Sequence, residues 1–336
     1  MASMIRKGER NLITDVAGLH VGQAEDVAAR TGVSVVLGEE PMKVAADMRG
    51  GGVETRNVQG LDAVPLVDAV DAVVLSGGST YGLDAPSGVQ AWLKQQGRGF
   101  RIAADLPPVP IVSGAILFDL ANGGNKDWGE EPPYRALGRR AAANAGRDFA
   151  LGNAGAGMGA TAGAYKGGIG SASAVGDGGT VGALVAVNAA GSPLMPGTGV
   201  FWAWPFEQDG EFGGRTPAGR AGLEIPPDMK GAVRPAANTT IAVVATDVEL
   251  TTLELRRIAI MAADGFARAL RPVHTPFDGD LVSVVSTARR KAAEPRPQVT
   301  LRLGHMAADC LARAIARGVY EARSLGALKS YCDTFP

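Results

Sequence analysis

The stretch RPAANTTIAVVATD, residues 234–247, governs how the rest of the chain is interpreted. A loop rich in proline and glycine leads into Asn238 and then into two hydroxyl side chains, Thr239 and Thr240. The β-branched run 241–245 follows at once, and a short apolar run of this kind is typical of a buried strand. The pattern therefore predicts a threonine at the point where a loop becomes a core strand.

A threonine in this position can become the first residue of a new chain if the peptide bond before it is cut. A free α-amino group has a pKa near ~8, so it can take the proton of the threonine's own hydroxyl. Thr239 would then carry both the nucleophile and its base. The residues Asn238, Thr239 and Thr240 also fit a simple polar cap on a strand. The local pattern alone favours the cap, so the hydrolase hypothesis depends on residues elsewhere in the chain.

Composition limits the class of protein. The chain has 336 residues, of which 46% are hydrophobic and 20% charged, as expected of a globular protein with a sizeable core. A formal net charge of −1 argues against an electrostatic role on nucleic acid or an anionic membrane. No apolar run reaches the roughly 18 residues of a membrane span, and the first residues lack an apolar signal segment. Cys310 and Cys332 have no metal-type spacing. We expect a cytoplasmic protein without metal or cofactor.

Predicted strands and helices come in groups rather than in strict alternation, which favours stacked mixed layers over a doubly wound sheet. The predicted strands are 13–16, 19–22, 32–37, 72–75, 110–112, 115–118, 181–187, 241–245 and 281–285. The predicted helices are 83–96, 134–145, 250–270 and 301–320, the third with an apolar stripe that includes Leu253. Residues 202–234 show little periodicity and are predicted to form an exposed loop.

Three other places supply polar groups that suit a threonine nucleophile. Lys166 lies among glycines, so little side-chain bulk screens it. Asn188 ends a predicted strand, and its amide can donate to an oxyanion. Asp278 and Asp280 flank Gly279 in a turn, where they can orient an amine or a lysine. Each of these has an ordinary structural explanation, but together they supply an oxyanion donor and the groups that fix a base.

Two glycine-rich loops are predicted to wall a substrate pocket. Arg49 precedes three glycines at 50–52 and could hold a substrate carboxylate, with a structural ion pair as the equal alternative. Gly77 and Gly78 follow the predicted strand 72–75, and Tyr81 lies three residues further on with a hydroxyl group. We predict that Arg49, Gly77, Gly78 and Tyr81 bind substrate.

In combination with these residues, the motif ANTTI at 237–241 resembles the self-processing aminopeptidases of the L-aminopeptidase/D-esterase type. That family also includes the β-peptidyl aminopeptidases and the nylon-oligomer (6-aminohexanoate) endo-hydrolase. The resemblance continues through DMRGG at 47–51, LSGGSTYGL at 75–83, GAGM at 155–158 and FDGD at 277–280. It implies an α+β fold, a four-layer α/β/β/α sandwich. It also implies cleavage before the nucleophile and a homo-oligomer of processed heterodimers.

Carried over residue by residue, the resemblance implies that Thr239 is the nucleophile and its freed amine the base. Lys166 and Asn188 would be its polar partners. Asp278 and Asp280 would hold the amine and Lys166, and a nearby cation would keep the pKa of both carboxyls low.

The resemblance also implies cleavage between Asn238 and Thr239, which would leave fragments 1–238 and 239–336. The threonine and the Asp–Gly–Asp turn resemble the nylon-oligomer hydrolase. Phe118, however, stands where some members have a catalytic tyrosine, so oxyanion support must come from Asn188, backbone N–H groups or Tyr81. We expect a small peptide or aminoacyl amide as substrate, with a nylon-oligomer type of endo-amidase as the alternative.

Two competing functions remain at this stage. The sequence GAGMGA at 155–160 satisfies the G-x-G-x-x-A pattern of a nucleotide-binding protein. Its context is poor, since residues 147–151 make a weak strand and the following residues stay rich in glycine. The second alternative is a non-hydrolytic acyltransferase relative that uses the same self-cleavage.

Overall fold

The computed structural model describes residues 5–59, 67–220, 222, 224–230 and 238–336. Residues 234–237 of the opening motif therefore lie outside the described residues. The strands are β1 (Arg6–Lys7), β2 (Leu19–Asp26), β3 (Thr31–Met48), β4 (Thr55–Arg56), β5 (Ala69–Ser76), β6 (Val112–Ile116), β7 (Thr161–Ala162), β8 (Tyr165–Lys166), β9 (Gly168–Gly176), β10 (Gly179–Asn188), β11 (Thr239–Val248) and β12 (Leu281–Arg290). The helices are α1 (Ala85–Gln95), α2 (Tyr134–Ala143), α3 (Thr252–Ala269), α4 (Arg296–Tyr320) and α5 (Tyr331–Thr334).

Three hydrophobic cores separate the described elements into four layers. One core packs α1 and α2 against β2, β3, β5 and β6. A middle core joins β3 and β5 to the facing sides of β10, β11 and β12. A third core packs α3 and α4 against the opposite side of β10, β11 and β12. The protein is thus the predicted α+β fold, a four-layer α/β/β/α sandwich.

The strand β11 shows how the sequence creates these layers. Successive side chains of a strand point to opposite faces. Ile241 and Val243 accordingly enter the middle core, while Ala242 and Val244 enter the core below α3 and α4. A strand that is covered on both faces needs a continuous apolar run, which residues 241–245 provide. The prediction of a buried strand here is confirmed.

The 18-residue strand β3 contributes to both halves of the sandwich. Its first part pairs with β2 and β5, and its last part pairs with β12, with an irregularity between Leu37 and Met42. One hydrogen-bonded path consequently runs β1-β9-β10-β11-β12-β3-β5-β6-β4, with β2 added beside β3. The predicted strand 32–37 was therefore too short, because β3 continues past Gly38 to Met48.

Other boundaries also differ from the predictions. The predicted strand 13–16 is a 3-10 helix, Ile13–Asp15, and the Ile13 N–H donates to the Ser171 hydroxyl rather than to a ladder. The predicted strands 110–112 and 115–118 form one strand, β6, because Gly114 pairs normally with Val74. Leu253 does not belong to the apolar stripe of α3, since it is 84% exposed. The four predicted helices and the strands around 72–75, 181–187 and 281–285 are confirmed.

Candidate active site

One edge of the sheet brings together residues that are far apart in sequence. Strand β11 runs antiparallel to β10 and parallel to β12. The end of β10 and the starts of β11 and β12 must therefore lie side by side. Asn188 is paired with Thr239, and Asn238 forms a bridge with Asp278.

Two backbone hydrogen bonds hold Asn238, whose carbonyl belongs to the peptide group before Thr239. The Asn238 N–H donates to the Phe277 carbonyl at 2.9 Å, and the Gly279 N–H donates to the Asn238 carbonyl at 2.6 Å. The Thr239 side chain packs on the same glycine, since a Cβ added to Gly279 would lie 2.6 Å from Thr239 Oγ1. An N–H that points at a carbonyl oxygen stabilises negative charge as a nucleophile adds to that carbonyl.

The two predicted carboxylates are buried and fully engaged with backbone and side-chain donors. Asp280 Oδ1 accepts from the Thr240 N–H at 2.9 Å, and Oδ2 accepts from the His274 N–H at 3.2 Å. His274 Nδ1 also lies 2.9 Å from Asp280 Oδ2. Asp280 thus anchors the backbone one residue after Thr239.

Asp278 occupies a different set of donors. Its Oδ1 accepts from the Ala190 N–H at 3.1 Å, and its Oδ2 accepts from the Thr275 N–H and hydroxyl at 2.9 and 2.6 Å. Burial raises the pKa of Asp278, and the neighbouring charge of Asp280 raises it further against these hydrogen bonds. The prediction of a low pKa for Asp278 is therefore wrong, because burial and a second carboxylate outweigh the stabilising donors.

Lys166 lies on β8 and is completely buried. Its ammonium donates to the carbonyl oxygens of Gly157, Ala160 and Gly167 at 2.8, 3.0 and 2.6 Å. Burial lowers the pKa of Lys166 to about 7, and the charge of Asp119 opposes that shift. The prediction that the carboxylates of the Asp–Gly–Asp turn hold Lys166 is therefore wrong. The three carbonyls take up the hydrogen-bonding capacity of the ammonium instead.

Asn188, at the end of β10, connects this edge to the residues after β6 and to β7. Its Nδ2 donates to the Phe118 carbonyl at 3.0 Å, while its Oδ1 accepts from the Thr161 N–H at 3.0 Å. Thr161 is in turn paired with Lys166 across the β7–β8 hairpin. Phe118, which lacks the hydroxyl of a tyrosine, thus contributes its main-chain carbonyl to the site.

The glycine loop after β5 is held by a buried carboxylate. The Gly78 N–H donates to Asp119 Oδ1 at 2.8 Å, and the Gly77 N–H donates to the Gly32 carbonyl at 2.9 Å. Thr31 donates its hydroxyl to Asp119 Oδ2 at 2.6 Å, and burial raises the pKa of Asp119. Substrate binding by Gly77 and Gly78 remains a prediction, and both of their N–H groups already have partners.

The other predicted substrate-binding residues lie around the Asp–Gly–Asp turn and at the surface. The Arg49 N–H donates to the Asp280 carbonyl at 2.9 Å, and the Arg49 side chain forms a 2.5 Å ion pair with Asp47. The Gly52 N–H donates to the Asp278 carbonyl at 2.9 Å. Tyr81 is half exposed and stacks edge-on against a tryptophan, Trp128. The contacts with substrate remain predictions for these residues.

Sequence reasoning missed three charged or titratable groups of this site. Asp119 directly follows the predicted strand that ends at Phe118, a position that could have singled it out. His274 lies six residues before Asp280 with a left-handed backbone, φ +54°, for which the sequence gives no signal. Lys230 belongs to the stretch 202–234, for which the sequence predicts an exposed loop, yet its Nζ donates to Asn188 Oδ1 at 3.0 Å.

The described residues contain no group of three or more His, Cys, Asp or Glu side chains placed to hold a metal ion. None of the helices in the described part of the chain is both long and apolar enough to cross a membrane. The G-x-G-x-x-A segment forms a 3-10 helix, Gly155–Gly157, which leads into β7 and does not open an α-helix. The nucleotide-binding interpretation therefore lacks its structural basis.

Comparison with known proteins agrees with this geometry. The model of peptidase family S58 matches residues 11–331. The chain belongs to peptidase family S58. An uncharacterized aminopeptidase of Mycobacterium tuberculosis is 43% identical over 346 residues, covering 97% of this chain and 98% of that relative. A 6-aminohexanoate-oligomer endohydrolase of a Kocuria species is 30% identical over 288 residues, covering 83% of this chain and 76% of that relative.

A solved structure extends the likeness to the fold. The L-aminopeptidase D-Ala-esterase/amidase of Ochrobactrum anthropi, described as a variant of the Ntn hydrolase fold, aligns with a TM-score of 0.66 at 22% identity. The alignment covers 96% of this chain and 89% of that one. Membership of peptidase family S58 confirms the resemblance seen in the sequence, and the protein is a hydrolase that acts on amide bonds.

Proposed function

We propose that this S58 peptidase is an N-terminal threonine aminopeptidase that becomes active by cutting its own chain between Asn238 and Thr239. The observation that supports this most directly is the Gly279 N–H, which donates to the Asn238 carbonyl at 2.6 Å. The Thr239 hydroxyl packs against the same glycine. A nucleophile, the Thr239 hydroxyl, and an oxyanion donor, the Gly279 N–H, thus lie beside the same peptide group.

The cleavage chemistry follows from this arrangement. The Thr239 hydroxyl oxygen adds to the Asn238 carbonyl carbon, and the Gly279 N–H stabilises the resulting oxyanion. The C–N bond then breaks, the threonine nitrogen takes up the proton that the hydroxyl has given up, and an ester joins the two residues. Water hydrolyses that ester, leaving a carboxylate on Asn238 and a free amine and hydroxyl on Thr239.

The sheet explains why the two fragments would stay together. Fragment 239–336 supplies β11 and β12, which lie between β10 and β3 of fragment 1–238. Their ladders and two of the three hydrophobic cores cross from one fragment to the other. As the resemblance implies, we also expect the heterodimers of the two fragments to associate into a homo-oligomer.

In turnover, the freed amine of Thr239 would serve as the base for its own hydroxyl. Asp280 anchors the neighbouring Thr240 N–H at 2.9 Å and so fixes the backbone that carries this amine. Asn188 lies opposite Thr239 in the ladder, and its carboxamide nitrogen can donate to the oxyanion formed on a substrate.

We propose small peptides or aminoacyl amides as substrates. The relative that is 43% identical is described as an aminopeptidase, whereas the 6-aminohexanoate-oligomer endohydrolase is 30% identical. Endo-cleavage of an amide oligomer is the alternative. Turnover of free aminoacyl amides, of the same amides with a blocked amine, and of 6-aminohexanoate oligomers distinguishes the two. Only an aminopeptidase requires the free amine.

Cleavage is tested by the variants Thr239→Ala and Thr239→Ser. The wild-type protein should give two bands on a denaturing gel, and Edman sequencing of the smaller one should read Thr-Thr-Ile-Ala-Val. The alanine variant should stay intact and inactive, while the serine variant keeps a hydroxyl and should still be cut. An intact wild-type chain with full activity would remove the proposal.

A further inference from the structure

A second lysine, Lys230, reaches the same carboxamide that borders Thr239. Its ammonium donates to Asn188 Oδ1 at 3.0 Å and to the Thr161 carbonyl at 3.3 Å. Asn188 Oδ1 also accepts from the Thr161 N–H and hydroxyl, at 3.0 and 3.3 Å. Because only the oxygen of a carboxamide accepts hydrogen bonds, these donors fix the orientation of the group and leave its nitrogen on the other side.

The carboxamide nitrogen of Asn188 is the atom that can donate to a substrate oxyanion. Asn188 Nδ2 uses one hydrogen on the Phe118 carbonyl at 3.0 Å, and a carboxamide nitrogen carries a second hydrogen. Among the donors to Oδ1 that belong to the described residues, Lys230 alone carries a charge. A hydrogen bond from an ammonium is roughly twice as strong as one from a neutral donor. It also draws electron density from the amide, which makes the N–H groups on the other side stronger donors.

Lys230 is anchored independently of the cleavage site. Its own N–H donates to the Ala190 carbonyl at 2.7 Å, and its neighbour Asp228 accepts from the Ser192 hydroxyl at 2.6 Å. These contacts all lie within fragment 1–238. A cut after Asn238 therefore leaves Lys230 attached to the residues that follow β10.

We propose that Lys230 is a positioning residue for Asn188, and that its ammonium orients and polarises this carboxamide as the oxyanion donor in substrate turnover. The inference rests on the proposed function, since it assigns how one group of that site is prepared. It gives no role to Lys230 in self-cleavage, because the Asn238 carbonyl is held by Gly279 instead.

Three charged groups from other parts of the described chain face Lys230. Asp278 precedes β12, Asp119 follows β6, and Lys166 belongs to β8. Burial lowers the pKa of Lys230 to about 7, while the charges of Asp278 and Asp119 oppose the shift. The charged form is the one that polarises Asn188. Its contribution is therefore complete well below pH 7 and disappears as the pH rises through that value.

The two titrations of the site then run in opposite directions. The Thr239 amine must lose its proton to act as a base, so turnover first rises with pH. Lys230 loses its proton near pH 7, below the pKa near ~8 of a free α-amino group, so the two titrations overlap. Once turnover is divided by the deprotonated fraction of the Thr239 amine, loss of the Lys230 proton should appear as a falling limb. Replacing Lys230 by arginine keeps a charge at every accessible pH, because a guanidinium does not lose its proton below about pH 12.

The experiment measures kcat, KM and their pH profiles for processed wild-type protein and for Lys230→Met, Lys230→Gln and Lys230→Arg. We expect Lys230→Met and Lys230→Gln to lose at least ~10-fold in kcat at low pH, with KM within about 2-fold, and to lose the falling limb. Lys230→Arg should retain most of the kcat and also lack the falling limb. Lys94→Met, on the exposed side of α1, is the matched control and should behave as wild type.

Other outcomes overturn the inference. Wild-type kcat and pH profile in the methionine and glutamine variants would show that Asn188 needs no charged partner. A falling limb that persists in Lys230→Arg would assign the titration to Lys166. Folded but uncut variants would place Lys230 in self-cleavage rather than in turnover. Failure of the wild type to show two bands and turnover would instead reject the proposed function itself, before any lysine variant is compared.

Discussion

The N–H of Gly279 and the carbonyl oxygen of Asn238 lie 2.6 Å apart, on the peptide group that immediately precedes Thr239. The position requires a glycine because any side chain would collide with the nucleophile. A Cβ there would lie 2.6 Å from Thr239 Oγ1 and 2.8 Å from the Gly52 carbonyl. Gly279, the residue between the two carboxylates, therefore contacts the reacting peptide group in addition to forming the turn.

Substitution Gly279→Ala should slow self-cleavage strongly while the chain still folds. The added methyl pushes against the Thr239 hydroxyl and the Gly52 carbonyl, which should shift the Gly279 N–H relative to the Asn238 carbonyl. Weakening such an oxyanion contact costs on the order of 100-fold in rate. The cleaved fraction after expression, and its increase with time, are read on a denaturing gel. Gly178→Ala is the control, because a Cβ there has no atom within 4 Å. Rapid and complete cleavage of Gly279→Ala would contradict the assigned role.

Substitution Asp280→Asn should lower turnover by at least ~100-fold in the protein that is processed. Both oxygens of Asp280 accept hydrogen bonds, one from Thr240 and the other from His274. An asparagine can keep only one of these, and its NH₂ group would face a donor. Because these hydrogen bonds also fix the backbone of the turn, the melting temperature should fall as well.

Turnover and melting temperature are measured side by side, with Asp264→Asn on the exposed face of α3 as the control. Near-normal turnover in Asp280→Asn would show that the turn has a structural role only.

The predictable part of the site is the part built at strand ends. The apolar run 241–245 forms a strand covered on both faces, and Asn188, Asp278 and Asp280 flank strands with equally clear patterns. Lys230 and His274 lie in segments without periodicity, so only the folded chain shows that they reach Asn188 and Asp280. The length of β3 was missed because residues 39–41, Glu-Glu-Pro, are exposed and interrupt the apolar pattern in the middle of the strand.

Substitution Arg49→Ala should leave self-cleavage intact and raise KM. Among the described residues, Arg49 is hydrogen-bonded to the Asp–Gly–Asp turn through its backbone N–H, which donates to the Asp280 carbonyl. Its guanidinium forms the ion pair with Asp47, and the side chain as a whole remains 38% exposed, so it can still meet a substrate. The double variant Asp47→Asn/Arg49→Ala is the control, because it removes the carboxylate that the single variant leaves unpaired.

A KM that stays high in the double variant supports a contact with substrate. Recovery of wild-type KM there, or an uncut single variant, would identify the ion pair as structural.

The lowered pKa values of Lys166 and Lys230 predict how the free energy of unfolding depends on pH. The pKa values of Lys166 and Lys230 are about 7 in the folded protein, against an ordinary value of 10.5. Between these values the unfolded chain binds more protons than the folded one, so the free energy of unfolding rises with pH. Below about pH 7 both states are protonated, and the cost of the buried charges is fully present. The uncut Thr239→Ala chain should therefore resist urea better at about pH 9 than at about pH 7.

Adding Lys166→Met to that chain isolates the share of one lysine. The substitution leaves three buried carbonyl oxygens without their donor, so the urea midpoint should fall throughout this pH range. The rise of the midpoint between about pH 7 and pH 9 should nevertheless be smaller, because one of the two titrating groups is gone. Lys94→Met, whose ammonium is exposed, should retain the full rise. Equal rises in the Lys166→Met and Lys94→Met chains would show that the buried ammonium titrates alike in the folded and unfolded states.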